Sequence, residues 1–386
     1  MQIADKLNSF RAYGGPAMNQ KIAVMRAAGK DVINLGLGDP DMNPPAHLLR
    51  ALADAVSKPV NHHYPSAYRV TTFYDAIAHW YKRRHGVEID PETEVLYCLG
   101  AADGIFQLPN CLLNAGDIAL VSDPAYPSYE AAIKMARGNV EFYPLLPENN
   151  FLPDLDAIPS DVAIKAKMIW VNFPNNPTTA TVGKEFYREL IDWAEAYNVV
   201  VVSDNPYMDL GLDGYKPPSF LSVPGAKKVG VELNSMSKSF NCCGWRVGML
   251  LGNSEIISAM AKLKSHADRG LYYPLQVATI AALTGPIDWM DERSKTFAER
   301  RDVVVGAWKK MGLEMMTPKA TFYCWGKISP GYTAEEFCLK LLEEANVWMI
   351  PGPTYGERGE GFVRISCVQP TERIAEAMER VGKFMS

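Results

Sequence analysis

Val199-Val200-Val201-Val202-Ser203-Asp204-Asn205-Pro206-Tyr207 is a run of β-branched residues that ends on a carboxylate and a proline turn. A strand that is apolar at every residue, instead of every second one, is covered on both faces of its sheet. The flanks agree. Upstream, Lys184 to Tyr197 has helical spacing and Lys167 to Phe173 reads as a strand; downstream, Val229 to Asn234 is another strand. Nearer the N-terminus, Val95 to Leu99 precedes a helix over Ala102 to Leu113, and Ile118 to Ser122 precedes one over Tyr129 to Ala136. Strand and helix in alternation predict an α/β large domain with a mostly parallel, doubly wound sheet. A helical patch lies near Gln20 to Ala28, and Ile33 to Pro40 reads as a short strand entering a glycine turn. Later the texture changes. Asp288 to Met311 is a charged amphipathic helix, Thr321 to Trp325 and Gly361 to Ser366 look like antiparallel strands, and helices are expected over Ala334 to Ala345 and Glu372 to Phe384. That predicts a smaller α+β domain. The expected division is 1–35 as an N-terminal segment packing with the small domain, 36–280 as the large domain and 281–386 as the small one.

The 386 residues are 48% hydrophobic and 22% charged, which excludes a disordered, collagen-like or coiled-coil chain. The net charge of -5, with no basic stripe, argues against nucleic acid as partner. The seven cysteines are scattered and lack metal-ligand spacing, so they are read as reduced thiols of a cytoplasmic protein with no metal site. No segment approaches the ~18 apolar residues of a membrane span, and the N-terminus lacks a signal layout.

The stretch densest in chemistry is Asn234-Ser235-Met236-Ser237-Lys238-Ser239-Phe240-Asn241-Cys242-Cys243-Gly244-Trp245-Arg246-Val247-Gly248. A loop lysine is ordinarily solvated. A desolvated one near another cation loses its proton more easily and can form a Schiff base. Ser235, Ser237 and Arg246 offer donors for a phosphate dianion. Other strand ends carry further candidates. Asp204 is a carboxylate near burial, or a helix cap. Gly100-Ala101-Ala102-Asp103-Gly104 opens a helix, where free N–H groups attract phosphate, although Asp103 is equally readable as an N-cap. Asn175-Asn176-Pro177-Thr178 is a common turn. Tyr126, between Pro124 and Pro127, and Tyr207 read equally as packed aromatics, and Arg364 on an apolar strand needs an anion.

Together these strings resemble the class I/II aminotransferases, enzymes of pyridoxal phosphate fold type I, over roughly Asn34 to Ile374. The pattern is nearest the subgroup of alanine and LL-diaminopimelate aminotransferases, through Leu233-Asn234-Ser235 and Lys264-Ser265-His266-Ala267-Asp268-Arg269-Gly270. The resemblance implies that Lys238 holds pyridoxal 5'-phosphate as a Schiff base and acts as the general base. It implies that Asp204 keeps the pyridine nitrogen protonated, that Tyr126 stacks on the ring, and that Asn176 and Tyr207 contact the phenolic oxygen. Ala101, Ala102, Ser235, Ser237 and Arg246 would grip the phosphate. Arg364 and the backbone of Gly38, with Asn176 beside them, would take the substrate carboxylate. Tyr64 would reach the neighbouring subunit's phosphate in a homodimer. Arg269 is a candidate for a distal carboxylate on the neighbour's substrate, or a plain surface arginine. The chain departs from the family at Thr179, where a glycine is usual, at Ala102, where a hydroxyl or lysine is common, and at Arg69 and Tyr74 in the segment that roofs the site.

The expected activity is amino-group transfer from an L-amino acid to a 2-oxo acid with ping-pong kinetics, with glutamate, alanine or aspartate as candidate donors. A carbon–sulfur lyase or another pyridoxal phosphate reaction would keep nearly all these residues. A ligand-sensing regulator would need a helix-turn-helix domain, and a dehydrogenase would need a third glycine after Gly36-Leu37-Gly38.

Overall fold

The computed structural model describes residues 3–10, 16–65 and 71–386. Its centre is a seven-stranded sheet. In chain order the strands of the protein are β1 (Ile33–Asn34), β2 (Val95–Cys98), β3 (Ile118–Asp123), β4 (Asn139–Pro144), β5 (Ala166–Val171), β6 (Val200–Asp204), β7 (Gly230–Ser235), β8 (Gly248–Gly252), β9 (Tyr323–Lys327), β10 (Val347–Trp348), β11 (Ile350–Pro351) and β12 (Phe362–Ser366). The large sheet has the order β2-β8-β7-β6-β5-β3-β4. Only β8 runs against its neighbours, pairing antiparallel with both β2 and β7. β6 sits in the middle, and Val201 and Val202 on its opposite faces are both fully buried, as a doubly covered strand requires. The two faces carry separate cores, one around Ile169, Val201 and Met249 and one around Trp170, Val202 and Leu250.

The smaller sheet is β11-β12-β9, antiparallel throughout. β1 pairs in parallel with β10. Through that pairing Ile22, Val32, Ile33 and Leu35 join the core that contains Phe337, Val363 and Ile374. The N-terminal segment is therefore packed against the C-terminal sheet, which carries the Gly36–Gly38 turn to the junction between the two sheets.

Four strands and several helices escape the sequence pattern, β10 and β11 because two residues are too few to show a period. β4 is an edge strand of mostly exposed residues, so it lacks an apolar signature. β8 is a glycine-bounded strand that forms the far side of the lysine loop. Helices Ala46–Val56, Thr71–His85, Ser254–Ala267 and Tyr273–Thr284 also went unread, partly because Thr71–His85 buries Trp80 and Tyr81 among charged neighbours. Tyr74 lies within that helix and is buried against Phe73, so it belongs to the core and not to a loop over the site. Arg69 lies outside the described residues. No described helix is long and apolar enough to cross a membrane.

Candidate active site

Ligands of open α/β sheets collect beyond the carboxyl ends of the strands. Here β2, β3, β5, β6 and β7 all run in one direction, and β8, running back, begins at the same edge. Their ends deliver Ala101, Tyr126, Asn176, Asp204, Lys238 and Arg246 to a single cavity of about 600 Å³. Gly38, Ala102, Tyr207, Ser235, Ser237 and Arg364 line the same space.

Asp204 is the most constrained of these groups. It is 4% exposed. One carboxylate oxygen, Oδ2, accepts from the Tyr129 hydroxyl at 2.6 Å, while Oδ1 is buried with no partner among the described residues. Burial raises its carboxyl to about 7, against the lowering effect of Tyr129. Tyr129 is in turn held by stacking on Trp170, with ring centroids 4.7 Å apart. Asn172 donates to the Asp204 carbonyl at 2.6 Å and accepts from the Asn176 N–H at 2.8 Å, tying two strand ends together. The turn at Asn176 closes through Thr179, which takes the left-handed conformation (φ 64) that the sequence departure places on a β-branched side chain.

Ser235 caps the short helix Met236–Ser239 and donates to the Ser237 hydroxyl at 2.9 Å. The helix Ala101–Leu112 opens beside it on Gly100. Gly100 has φ 78, and a Cβ there would collide with the Arg246 guanidinium, so glycine lets the arginine lie against the helix start. Asp103 is not the N-cap. Its carboxylate accepts from the Leu99 N–H at 2.9 Å and pairs with the buried Lys264 at 2.5 Å, and Lys264 also binds Asp268 at 2.6 Å.

Lys238 is half-buried; its amine donates to the Gly38 carbonyl and lies 3.2 Å from the Cys243 sulfur. Gly38 thus presents its carbonyl to the lysine. A Cβ at Gly38 would stand 2.6 Å from the Tyr323 hydroxyl. Arg364 donates to Asn176 Oδ1 at 2.9 Å and to the Gly36 carbonyl at 2.8 Å, with its guanidinium 4.1 Å over the Tyr323 ring. Sequence reasoning gave no site role to Tyr129, Asn172, Tyr323 or Cys243. Tyr129 and Tyr323 sit inside quoted strings, but nothing local distinguishes an aromatic that holds a carboxylate or an arginine from one that packs.

Comparison with known proteins agrees with this geometry. The family model for aminotransferase class I and II matches residues 30–381. The chain belongs to the class I and II aminotransferases. It is 44% identical to an LL-diaminopimelate aminotransferase of Halothermothrix orenii over 99% of this chain and 98% of that protein. Among solved structures it superposes on substrate-bound BacF from Bacillus subtilis with a TM-score of 0.96 at 37% identity, covering 100% of this chain and 98% of that one. An alanine aminotransferase from Pyrococcus furiosus superposes with a TM-score of 0.91 at 30% identity, covering 100% and 99%.

The aminotransferase is therefore a pyridoxal-phosphate-dependent enzyme of fold type I. Its cavity fits that group. It holds a primary amine, a buried carboxylate oxygen without a partner, an arginine, and hydroxyl and helix N–H donors for a dianion. Among the described residues no His/Cys/Asp/Glu group could hold a metal. Tyr64 and Arg269 do not enter this cavity. They line a second, more open one of about 560 Å³ with His62, His63 and Tyr272, and Tyr64 is 83% exposed.

Proposed function

We propose that the aminotransferase exchanges an amino group between LL-diaminopimelate, the substrate named for its relatives, and a second amino acid/2-oxo acid pair such as glutamate and 2-oxoglutarate. The observation that carries the chemistry is the unpartnered Asp204 oxygen in the cavity of the Lys238 amine. Lys238 would hold the cofactor covalently, Asp204 would face the ring nitrogen, and Tyr126 would cover the ring. Ser235, Ser237, Arg246 and the N–H groups at Ala101 and Ala102 would hold the phosphate. Bound there, pyridoxal phosphate supplies an electron sink for the pair left on the substrate α-carbon.

The chain's own residues then divide the work. Arg364, fixed by Asn176, Gly36 and Tyr323, takes the α-carboxylate in two-pronged fashion, which fixes the α-carbon. Lys238 Nζ removes the α-proton and returns it as general acid. Tyr207, buried with its hydroxyl 3.4 Å from that of Tyr323, and Asn176 polarise the phenolic edge.

Tyr64 and Arg269 stand together away from Lys238, which supports a homodimer in which each chain completes its neighbour's site. In that arrangement Arg269 pairs with the distal carboxylate. We place the enzyme in the cytoplasm and divide it at 35 and 280. The test is kcat/KM for LL-diaminopimelate against alanine and aspartate, with 2-oxoglutarate as acceptor. A preference of tenfold or less for LL-diaminopimelate would contradict the donor assignment.

A further inference from the structure

Five charged side chains among the described residues line the main cavity: Asp204, Lys238, Arg246, Glu335 and Arg364. Four are accounted for by the cofactor, the reaction and the α-carboxylate. Glu335 is not. It lies on the first turn of the helix Ala334–Ala345, exposed at the cavity rim, with no ion pair or hydrogen bond to any described residue. Helix capping does not explain it, because Thr333 and Glu336 already form the reciprocal capping box.

The cavity that Arg364 and Glu335 share also has apolar lining. Arg364 is buried, and the apolar side chains of Leu37, Met18, Trp348 and Ile350 line the same cavity. A guest anchored by its α-carboxylate on Arg364 thus shares its cavity with apolar side chains and with one uncommitted carboxylate. That combination of cation, apolar lining and anion suits an α-amino acid with an unbranched side chain and a second ammonium group at its far end.

We infer that Glu335 is a specificity-determining residue that receives the distal ammonium of a diamino acid. This rests on the functional reading above and deepens it. Glu335 takes the amino half of the distal head group, and Arg269 of the partner subunit takes the carboxylate half. A substrate that lacks the second amine but keeps the chain and the distal carboxylate loses only the Glu335 contact.

The test compares three donors: LL-diaminopimelate, 2-aminopimelate, which lacks the distal amine, and glutamate. Wild type should favour LL-diaminopimelate over 2-aminopimelate by roughly two- to fivefold in kcat/KM, through KM, the scale of one exposed ion pair. E335Q should erase that ratio by raising KM for LL-diaminopimelate alone. E335K should favour 2-aminopimelate. A wild type that uses glutamate but treats the two seven-carbon donors alike, or an E335Q that keeps the ratio or loses all donors equally, overturns the role of Glu335 and leaves the aminotransferase reading intact. A wild type that reacts with none of the three overturns both.

Discussion

Asp204 carries a measurable signature that does not depend on turnover. In the unfolded chain an aspartate releases its proton near ~3.9; in the folded, cofactor-free protein burial holds the proton until about 7. Between those values the native state binds a proton that the unfolded state has lost, so this group's contribution to stability falls as pH rises. The thermal midpoint of the cofactor-free protein minus that of Asp204→Asn should decrease from about pH 4 to 7 and level off above. Saturation with pyridoxal phosphate should flatten the difference by giving the carboxylate a cationic partner. An unchanged slope after saturation would mean that the ring nitrogen does not meet Asp204. At this scale the sequence was partly legible. Asp204 announced itself because a carboxylate at the end of an all-valine strand is costly without a purpose. Tyr129 did not, because its role is set by Trp170 and Asp204, both remote in sequence.

At the scale of elements, the site is where strands end, and continuous apolar strands are easy to read. β6 is legible to within one residue at each end for that reason. What the pattern cannot show is how loops are held. The lysine loop is pinned by Arg293 on the long helix Trp289–Lys310. Arg293 is 2% exposed and donates to the carbonyls of Lys238 at 3.2 Å and Asp209 at 2.5 Å, and to that of Ser239. Its position in a charged amphipathic helix resembles that of any solvated arginine. Arg293→Met should leave those buried carbonyls without donors and cost roughly 3 kcal/mol, read as a lower urea midpoint. If the pin also sets the amine, kcat should fall more than KM changes. The second hidden brace is Lys264, 2% exposed between Asp103 and Asp268. Lys264→Met would leave two carboxylates facing each other and should destabilise by about 3–5 kcal/mol in chemical denaturation. A loss below 1 kcal/mol would show that the pair is solvated in solution.

For the whole molecule, the proposal to test is that each chain completes its neighbour's site. Tyr64 and Arg269 are near each other but line a cavity separate from the one that contains Lys238. A mixed dimer of Lys238→Ala and the double variant Tyr64→Phe/Arg269→Ser should place one intact site in each heterodimer and recover activity that neither parent shows. Failure to recover activity, with heterodimers present by mass, would assign those residues to their own chain. A single sequence separates the two sheets through their different textures, whereas the role proposed for Tyr64 comes from the family resemblance alone, since nothing local tells an exposed tyrosine of a site from one of the surface.

The most direct measurement is the visible spectrum of the purified holoenzyme, titrated with LL-diaminopimelate or glutamate in the absence of any 2-oxo acid. The yellow absorbance of the bound cofactor should disappear stoichiometrically and return on addition of 2-oxoglutarate, and Lys238→Ala should show neither change. A yellow band that persists while ammonia accumulates, or a Lys238→Ala protein that still exchanges amino groups at the wild-type rate, would contradict the account.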